Sequence, residues 1–463
     1  MHTCNSKSLE EEGRNEDDPK NSVQVQQEQQ KQVNHFKVWS QRAYLSEARI
    51  ATGDREPKQF KHQREHQRQY DEEDENPYVF NVEDFTPMFK NEHGAIYSLQ
   101  KFSERSKLLS GIENFRVAAA KANPLTFLTP THFDAEVVLV VTRGRGAITL
   151  IGEKRESFNI ERGDVIRVQA GTTVYWINTD ENDELRTVCL LKTVNFPSEY
   201  TCKYNSFMMQ PFYAASAGEA SFYSALSPEL LEAALKTDKE MLEHIMSTDH
   251  TEVIVKASKE QIQALSQEEE GRGNSTAPFN LLDMQPLVHN NYGQIFYVSP
   301  TEYRALEDLD IGVGFVNITK GSMLGPLYNS ESTAIIMVLD GEGYFEMVGP
   351  RTKSSVQTGP TNKKLSSSLR HGSVIVSPAG YPIAMVASRK NDLIAVCFGT
   401  NAKGNIKYPL AGKNNIVNKM KSEAIELTFG VPAKEVEEIF EKETDYLLFP
   451  GPSQQEKQGR ADA

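Results

Sequence analysis

From Pro77 to about residue 450 the chain runs as short apolar stretches rich in Val, Ile, Phe and Tyr, separated by Gly, Pro and Asn. Runs of that length and composition read as β-strands joined by tight turns. The segment "PTHFDAEVVLVVTRGRGAITL" (130–150) is a clear instance: an apolar run, a Gly-x-Gly turn and a second apolar run. It predicts a hairpin, with glycine supplying the positive φ that the turn needs. His132 stands just before that hairpin.

The pattern repeats. "PMFKNEHGAIYSL" (87–99) matches "PLVHNNYGQIFYV" (286–298), "VVTRGRGAITLI" (140–151) matches "MVLDGEGYFEMV" (337–348), and "GDVIRVQAG" (163–171) matches "GSVIVSPAG" (372–380). Three blocks in the same order indicate a duplicated domain. The second copy carries an extra polar stretch over 349–370, which reads as a flexible exposed loop. The density of short strands predicts a mainly β protein of two antiparallel jelly-roll barrels, at 77–270 and 271–450, with a tail over 451–463.

Helical periodicity interrupts the strands twice. In "SFYSALSPELLEAALKTDKEMLEHIM", Ser227 suits an N-cap and Pro228 the first helical position. Leu230, Leu231, Ala234, Leu235, Met241, Leu242 and Ile245 recur at helical spacing. A further short helix is expected within 258–270. In the second copy "VPAKEVEEIFEK" places Pro432 at a helix start, with Val436, Ile439 and Phe440 on one side. Each barrel is thus expected to carry a helical extension. An apolar face larger than one barrel absorbs marks a subunit contact.

Composition narrows the function. The formal charge is −14, from 50 Lys+Arg against 64 Asp+Glu, which argues against a general attraction to nucleic acid or an anionic membrane surface. No apolar run approaches the roughly 20 residues that span a bilayer. Residues 1–76 are charged and Gln-rich and are expected to be mostly disordered; the basic run "KQFKHQREHQR" is followed at once by "DEEDE". Four cysteines form no Cys-x-x-Cys pair, so a structural zinc site is not expected, and Cys189 and Cys397 sit in apolar runs as packing residues. Residues 1–20 lack the apolar core of a signal peptide, which suits a cytosolic protein or a processed chain. Asn274 and Asn317 head N-x-[ST] sequons that permit N-glycosylation.

The duplicated small barrel with Gly-x-Gly and "GDVIRVQAG" blocks resembles the cupin superfamily. Metal-binding cupins hold a divalent ion with three histidines and a glutamate at fixed spacing from the motif glycines. In the second copy those four positions read Leu327, Asn329, Ala334 and Ile383; in the first they read Pro130, His132, Val137 and Val174. One imidazole cannot hold such an ion, so no metal and no cofactor are expected, and His132 is a remnant or a hydrogen-bonding residue. There is no P-loop, no Gly-x-Ser-x-Gly elbow and no His-Glu-x-x-His, so no catalytic residue is assigned.

A closer resemblance runs over about 76–450. "NPYVFNVEDFTPMFKNEHGAIYSLQKFSERSKLLSGIENFRVAAAKANPLTFLTPTHFDAE", "SPELLEAALKT", "YNSESTAIIMVLDGEGYFEMVGP" and "SPAGYPIAMVAS" resemble the vicilins, the 7S seed storage globulins. That resemblance implies two tandem cupin domains, a homotrimer built through the helical extensions, passage through the secretory pathway to the protein storage vacuole, and breakdown on germination. The Cys-Pro-His run with which some vicilins bind copper reads Gly325-Pro326-Leu327 here, which removes the donors. The expected function is storage without catalysis. The alternative is a binder of a small anion or sugar in a barrel cavity, with His132 and Asn329 as the candidate ligand residues.

Overall fold

The strand Ala135–Arg143 shows how the pattern becomes a fold. Val137, Leu139 and Val141 join one core with Ile148, Leu150 and Trp176 of an opposing sheet, while Val138 and Val140 join another with Ile311, Val313 and Val396. Successive side chains point to opposite faces, and here both faces are covered, which is why the run is almost continuously apolar.

The computed structural model describes residues 76–195, 211–213, 221–246, 252–266, 277–350, 362–452 and 454. The expectations for the N-terminal segment, for Asn274 and for most of the tail fall outside these residues. Residues Glu75–Ala463 cluster as one compact unit.

Among the described residues four antiparallel sheets, two in each half, form the body. In the first half one sheet centres on Asp164–Val168, Ala135–Arg143, Leu185–Thr193 and Phe115–Ala122, and the other on Thr126–Phe133, Thr173–Asn178, Arg145–Ile151 and Arg155–Glu161. The second half repeats this with Val374–Ser377, Thr333–Asp340, Leu393–Thr400 and Ile311–Ile318 against Ser322–Asn329, Ile383–Ala387, Glu342–Pro350 and Asn362–Arg370. Each pair is a jelly-roll barrel, and the barrels share the core that Val138 and Val140 enter.

The matched blocks fall on matched elements. Residues 87–99 and 286–298 are hairpins in which Asn91 and Asn290 are used alike. Each amide donates to a strand returning from the helical extension, to the Ile254 carbonyl at 2.7 Å and the Leu448 carbonyl at 3.0 Å. Gly144 and Gly341 turn the next hairpins at φ +79 and +84. A side chain at Gly341 would also collide with the Asp392 carbonyl.

The halves exchange strands. Val79–Phe80, from the start of the first copy, pairs with Val374 and Ile375 of the second, and Phe279–Asn280 pairs with Asp164 and Val165 of the first. Phe80 is fully buried and meets Phe102 edge-on at 5.5 Å. The buried Arg167 adds a second tie: it donates to Glu136 at 2.9 Å and, across to the other half, to the exposed Asp308 at 2.9 Å and to the Ala305 carbonyl at 2.9 Å.

The helical extensions form as short pieces: Phe222–Ala225, Pro228–Leu235, Lys239–Met246 and Lys259–Leu265, then Ser422–Phe429 and Ala433–Phe440. Ser227 caps its helix, accepting from the Leu230 N–H, and Pro228 opens it. Pro432 takes the N-cap position itself, one residue before the expected first turn. Leu231, Leu242 and Val436 are buried, whereas Leu230, Leu235, Met241, Ile245, Leu427 and Ile439 stay in the open. Ile439 therefore does not share the inward face of Val436.

The loop expected over 349–370 is corrected at its two ends, while residues 351–361 fall outside the described residues. Glu342–Pro350 and Asn362–Arg370 are paired strands of one long hairpin. Leu365 and Leu369 are buried while Lys364, Ser368 and Arg370 are exposed, as a strand covered on one face requires. Only two inward leucines carry the signal, so the segment's polarity disguises it.

Candidate cavity sites in the two barrels

Each barrel encloses a cavity, of about 100 Å³ in the first and about 110 Å³ in the second. Each lies between its two sheets, and the strand registers align one with the other. Val174 pairs with Thr131, and Ile383 with Leu327. Thr131 therefore corresponds to Leu327, His132 to Tyr328, and Phe133 to Asn329.

This corrects the expectation that His132 and Asn329 hold the same position. One residue, Asp134, separates Phe133 from Ala135, whereas two, Ser330 and Glu331, separate Asn329 from Ser332, so counting back from Gly144 slips by one. A one-residue slip moves a side chain to the other face of the sheet. Thr131 and Phe133 line the first cavity and His132 does not. The His132 ring instead stacks on Phe212 at 4.9 Å and meets Phe222 at 5.7 Å. Tyr328 makes the equivalent stack on Tyr408 at 5.0 Å.

Asn329 does line the second cavity. Its side-chain oxygen accepts from Asn405 at 3.1 Å, and Asn405 in turn accepts from the Glu331 and Ser332 N–H groups. Asn317 lies in the central strand Ile311–Ile318, half-buried, with its side-chain oxygen enclosed and without a hydrogen-bond donor among the described residues. That is a poor setting for a bulky surface glycan.

The remaining metal positions are closed by hydrocarbon. Leu327 and Ile383 are buried and directly paired, and Ala334 is buried beside them. The matching residues of the first barrel are Thr131, Phe133, Val137 and Val174. Among the described residues no three His, Cys, Asp or Glu side chains converge as a metal site would require.

Two cations that the sequence reading passed over are the notable polar members. Arg116, only 5% exposed, lines the first cavity, and both terminal guanidinium nitrogens lack an acceptor among the described residues. Burial pulls it down to about 10. The Thr129 hydroxyl is also enclosed there without a hydrogen-bond partner among the described residues. In the second cavity Lys407 sits 3.9 Å from the Tyr297 ring centre, and burial lowers its ammonium below the ordinary lysine value. Burial likewise raises the Tyr297 hydroxyl to about 12.

Cys189 and Cys397 occupy equivalent wall positions, opposite Ala118 and Gly314. Burial pushes their thiols up to about 12 and about 11, which suits packing rather than nucleophilic chemistry. The signal that could have found Arg116 is "FRVAAAKA": a charge at an inward-facing position of an otherwise small-residue strand.

A Cupin family model matches residues 279–437. A vicilin of Juglans regia, Jug r 6.0101, is 48% identical over 410 residues, covering 84% of this chain and 80% of that protein. The crystal structure of the vicilin from Corylus avellana superposes with a TM-score of 0.74 at 47% identity, covering 81% of this chain and all of that one. That of the vicilin from Solanum melongena, described as holding different anionic ligands in structurally similar pockets, superposes with a TM-score of 0.74 at 36% identity over 81% of this chain and 98% of that one.

Proposed function

The chain belongs to the vicilin family of seed storage globulins, and from that membership we propose a nutrient reserve with no chemistry of its own. It assembles as a homotrimer through the helical extensions and travels through the secretory pathway to the protein storage vacuole. The observation that carries the non-catalytic reading is the filling of the metal positions by Leu327, Asn329, Ala334 and Ile383 in one barrel and by Thr131, Phe133, Val137 and Val174 in the other. These residues offer hydrocarbon, one amide and one hydroxyl where a divalent ion needs imidazoles and a carboxylate.

The open apolar stripe supports assembly. Leu230 and Met241 are each about half exposed and Ile439 is 63% exposed. Large side chains held on helices in that way are what a subunit contact covers. Native mass spectrometry and metal analysis on one purified sample test both claims. Three copies per particle with less than about a tenth of a metal per chain is the expected result. A monomer would overturn the assembly, and close to one tightly held metal per chain would overturn the non-catalytic reading.

A second reading has its own support: each cavity holds one cation, the buried Arg116 or the half-buried Lys407, with no carboxylate among its lining residues. Such cavities suit small anions, with Asn329 and Asn405 as further polar contacts in the second. The Solanum melongena relative, with its different anionic ligands, agrees with this. A sugar is disfavoured by size, since even an engineered cavity of about 150 Å³ takes only benzene. His132 leaves the list of ligand residues because its ring packs outside the cavity.

A further inference from the structure

The second barrel puts an amine where the first has none. We propose that Lys407 is a covalent capture site for a short apolar aldehyde, which condenses with its side chain to an imine inside the second cavity. The capture is stoichiometric, without turnover, and it uses the neutral amine, so it does not rest on the anion reading above.

Three observations carry this. First, the strand Lys407–Pro409 pairs with Ser322–Asn329 so that Lys407 stands opposite Asn329, and both line the cavity. The Lys407 Nζ lies 3.9 Å from the centre of the Tyr297 ring and makes no hydrogen bond or ion pair among the described residues. The titratable groups facing it are the Tyr297 hydroxyl and the Cys397 thiol, both kept in their neutral form by burial, and no carboxylate lines the cavity. Burial without a counter-ion disfavours the ammonium more strongly than a ring face favours it, and the neutral amine is the nucleophile.

Second, the space beside the amine is small and apolar. Gly312 leaves the place that Tyr297 occupies, since a side chain there would collide with its hydroxyl. The walls include Phe315, Leu324, Leu327, Ile336, Ile383 and Met385 around about 110 Å³. A body of a few carbons fits, the cavity being smaller than the engineered one of about 150 Å³ that takes benzene. Walls of this kind also keep out the water that would hydrolyse an imine.

Third, the first barrel lacks each part. Ser98, Arg116 and Pro211 stand there where the second barrel has Tyr297, Gly312 and Lys407. No described lysine lines the first cavity, and a guanidinium stays protonated.

The chemistry needs no oxidant or reductant. The lone pair of Nζ attacks the carbonyl carbon, and a proton moves from nitrogen to oxygen to give a carbinolamine. The C–O bond then breaks, water leaves and the C=N bond forms. Lys407 is half-buried, so solvent takes and returns the protons.

The test exposes the full chain at pH 7 to limiting butanal, with cyanoborohydride to fix imines as secondary amines, and reads each lysine by peptide mass spectrometry. Lys407 should label at least about fivefold faster than the exposed Lys154 and Lys421. In denaturant the three should label alike. A pyrene carboxaldehyde, too large for the cavity, should show no preference for Lys407. Lys407→Arg should lose the fast adduct while keeping a charge at that place. If native Lys407 labels no faster than Lys154 and Lys421, the amine stays protonated or out of reach and the proposal falls. If the bulky aldehyde labels Lys407 as readily as butanal, the amine reacts at the surface rather than in the cavity, which overturns the proposal as well. A preference that persists in denaturant belongs to the neighbouring sequence and has the same consequence. Should Lys407→Arg fail to fold, the native and denatured wild type carry the decision.

Discussion

The two barrels agree in what builds them and differ in what they enclose. Asn91 and Asn290 hold the same returning strand, Cys189 and Cys397 fill the same wall position, and the His132–Phe212 stack corresponds to that of Tyr328 on Tyr408. Inside, Arg116 faces Gly312 across the duplication, and the strand that carries Lys407 in one copy begins with Pro211 in the other. Residues that satisfy the backbone or turn the chain match between the copies because any change there leaves buried groups unpaired. Cavity residues face no such demand, yet each copy keeps one cation without a carboxylate, from a different strand. The fold constrains its frame far more tightly than its interior.

The exchanged strands give the largest test of that frame. Phe80→Ala empties a fully buried position in the core shared by both halves and should cost about 4 kcal/mol. Phe279, its counterpart in the other exchanged strand, is only partly buried and stacks on Tyr303 at 5.2 Å, so Phe279→Ala should cost about half as much. Denaturant unfolding of both variants measures this. Equal losses would mean that the exchange is symmetric and that the first strand is not the main tie.

The cavity thiols come next. At pH 8 a thiol raised to about 11 or 12 carries at least about a hundredfold less thiolate than an unfolded one. With Cys4 and Cys202 replaced by serine, Ellman's reagent should react slowly with the native chain and quickly after unfolding. Lys407 lowers Cys397 relative to a thiol without that neighbour, so Cys397 should be the faster of the two. Lys407→Met should narrow the gap. A native thiol reacting at the unfolded rate would show that its cavity is not the enclosed space described.

The ion pair between the halves is worth less. Arg167→Met strands Glu136 and releases Asp308, which is 68% exposed and already well hydrated, so the loss should be about 2 kcal/mol. The sign of its pH dependence follows from Asp308, whose carboxyl the Arg167 hydrogen bonds hold below its ordinary value. A carboxyl lowered in the folded state stabilises the fold above its unfolded value of about 4, and that contribution drains away as pH falls through the folded value. Wild type and Arg167→Met should therefore differ in Tm at pH 6 and converge at the acidic end of the curve. A constant difference would mean that Arg167 acts through packing alone.

Much of this frame was legible in the chain. The repeated blocks carry glycines whose turn conformations leave little choice, and alternation assigned most strands, so fold class and duplication could be read directly. What could not be read involves partners distant in sequence or a single residue of register. The strand over 362–370 is hidden because one covered face needs only Leu365 and Leu369. Arg116 looks like a surface charge until the pairing of its strand with Leu185–Thr193 turns it inward. The exchange of Val79–Phe80 depends on contacts nearly three hundred residues away, which no local pattern encodes.

His132 offers the smallest effect and the sharpest test of the register. If the strands align as described, the second copy already shows what the position accepts, because Tyr328 occupies it and stacks on Tyr408 as His132 stacks on Phe212. His132→Tyr should then keep a ring on Phe212 outside the cavity and change stability by less than about 1 kcal/mol. Under the slipped register the side chain points inward, and a tyrosine there would crowd Thr131, Phe133 and Trp176 and cost about 1–3 kcal/mol through overpacking. One variant, measured by unfolding, thus separates two registers that differ by a single residue.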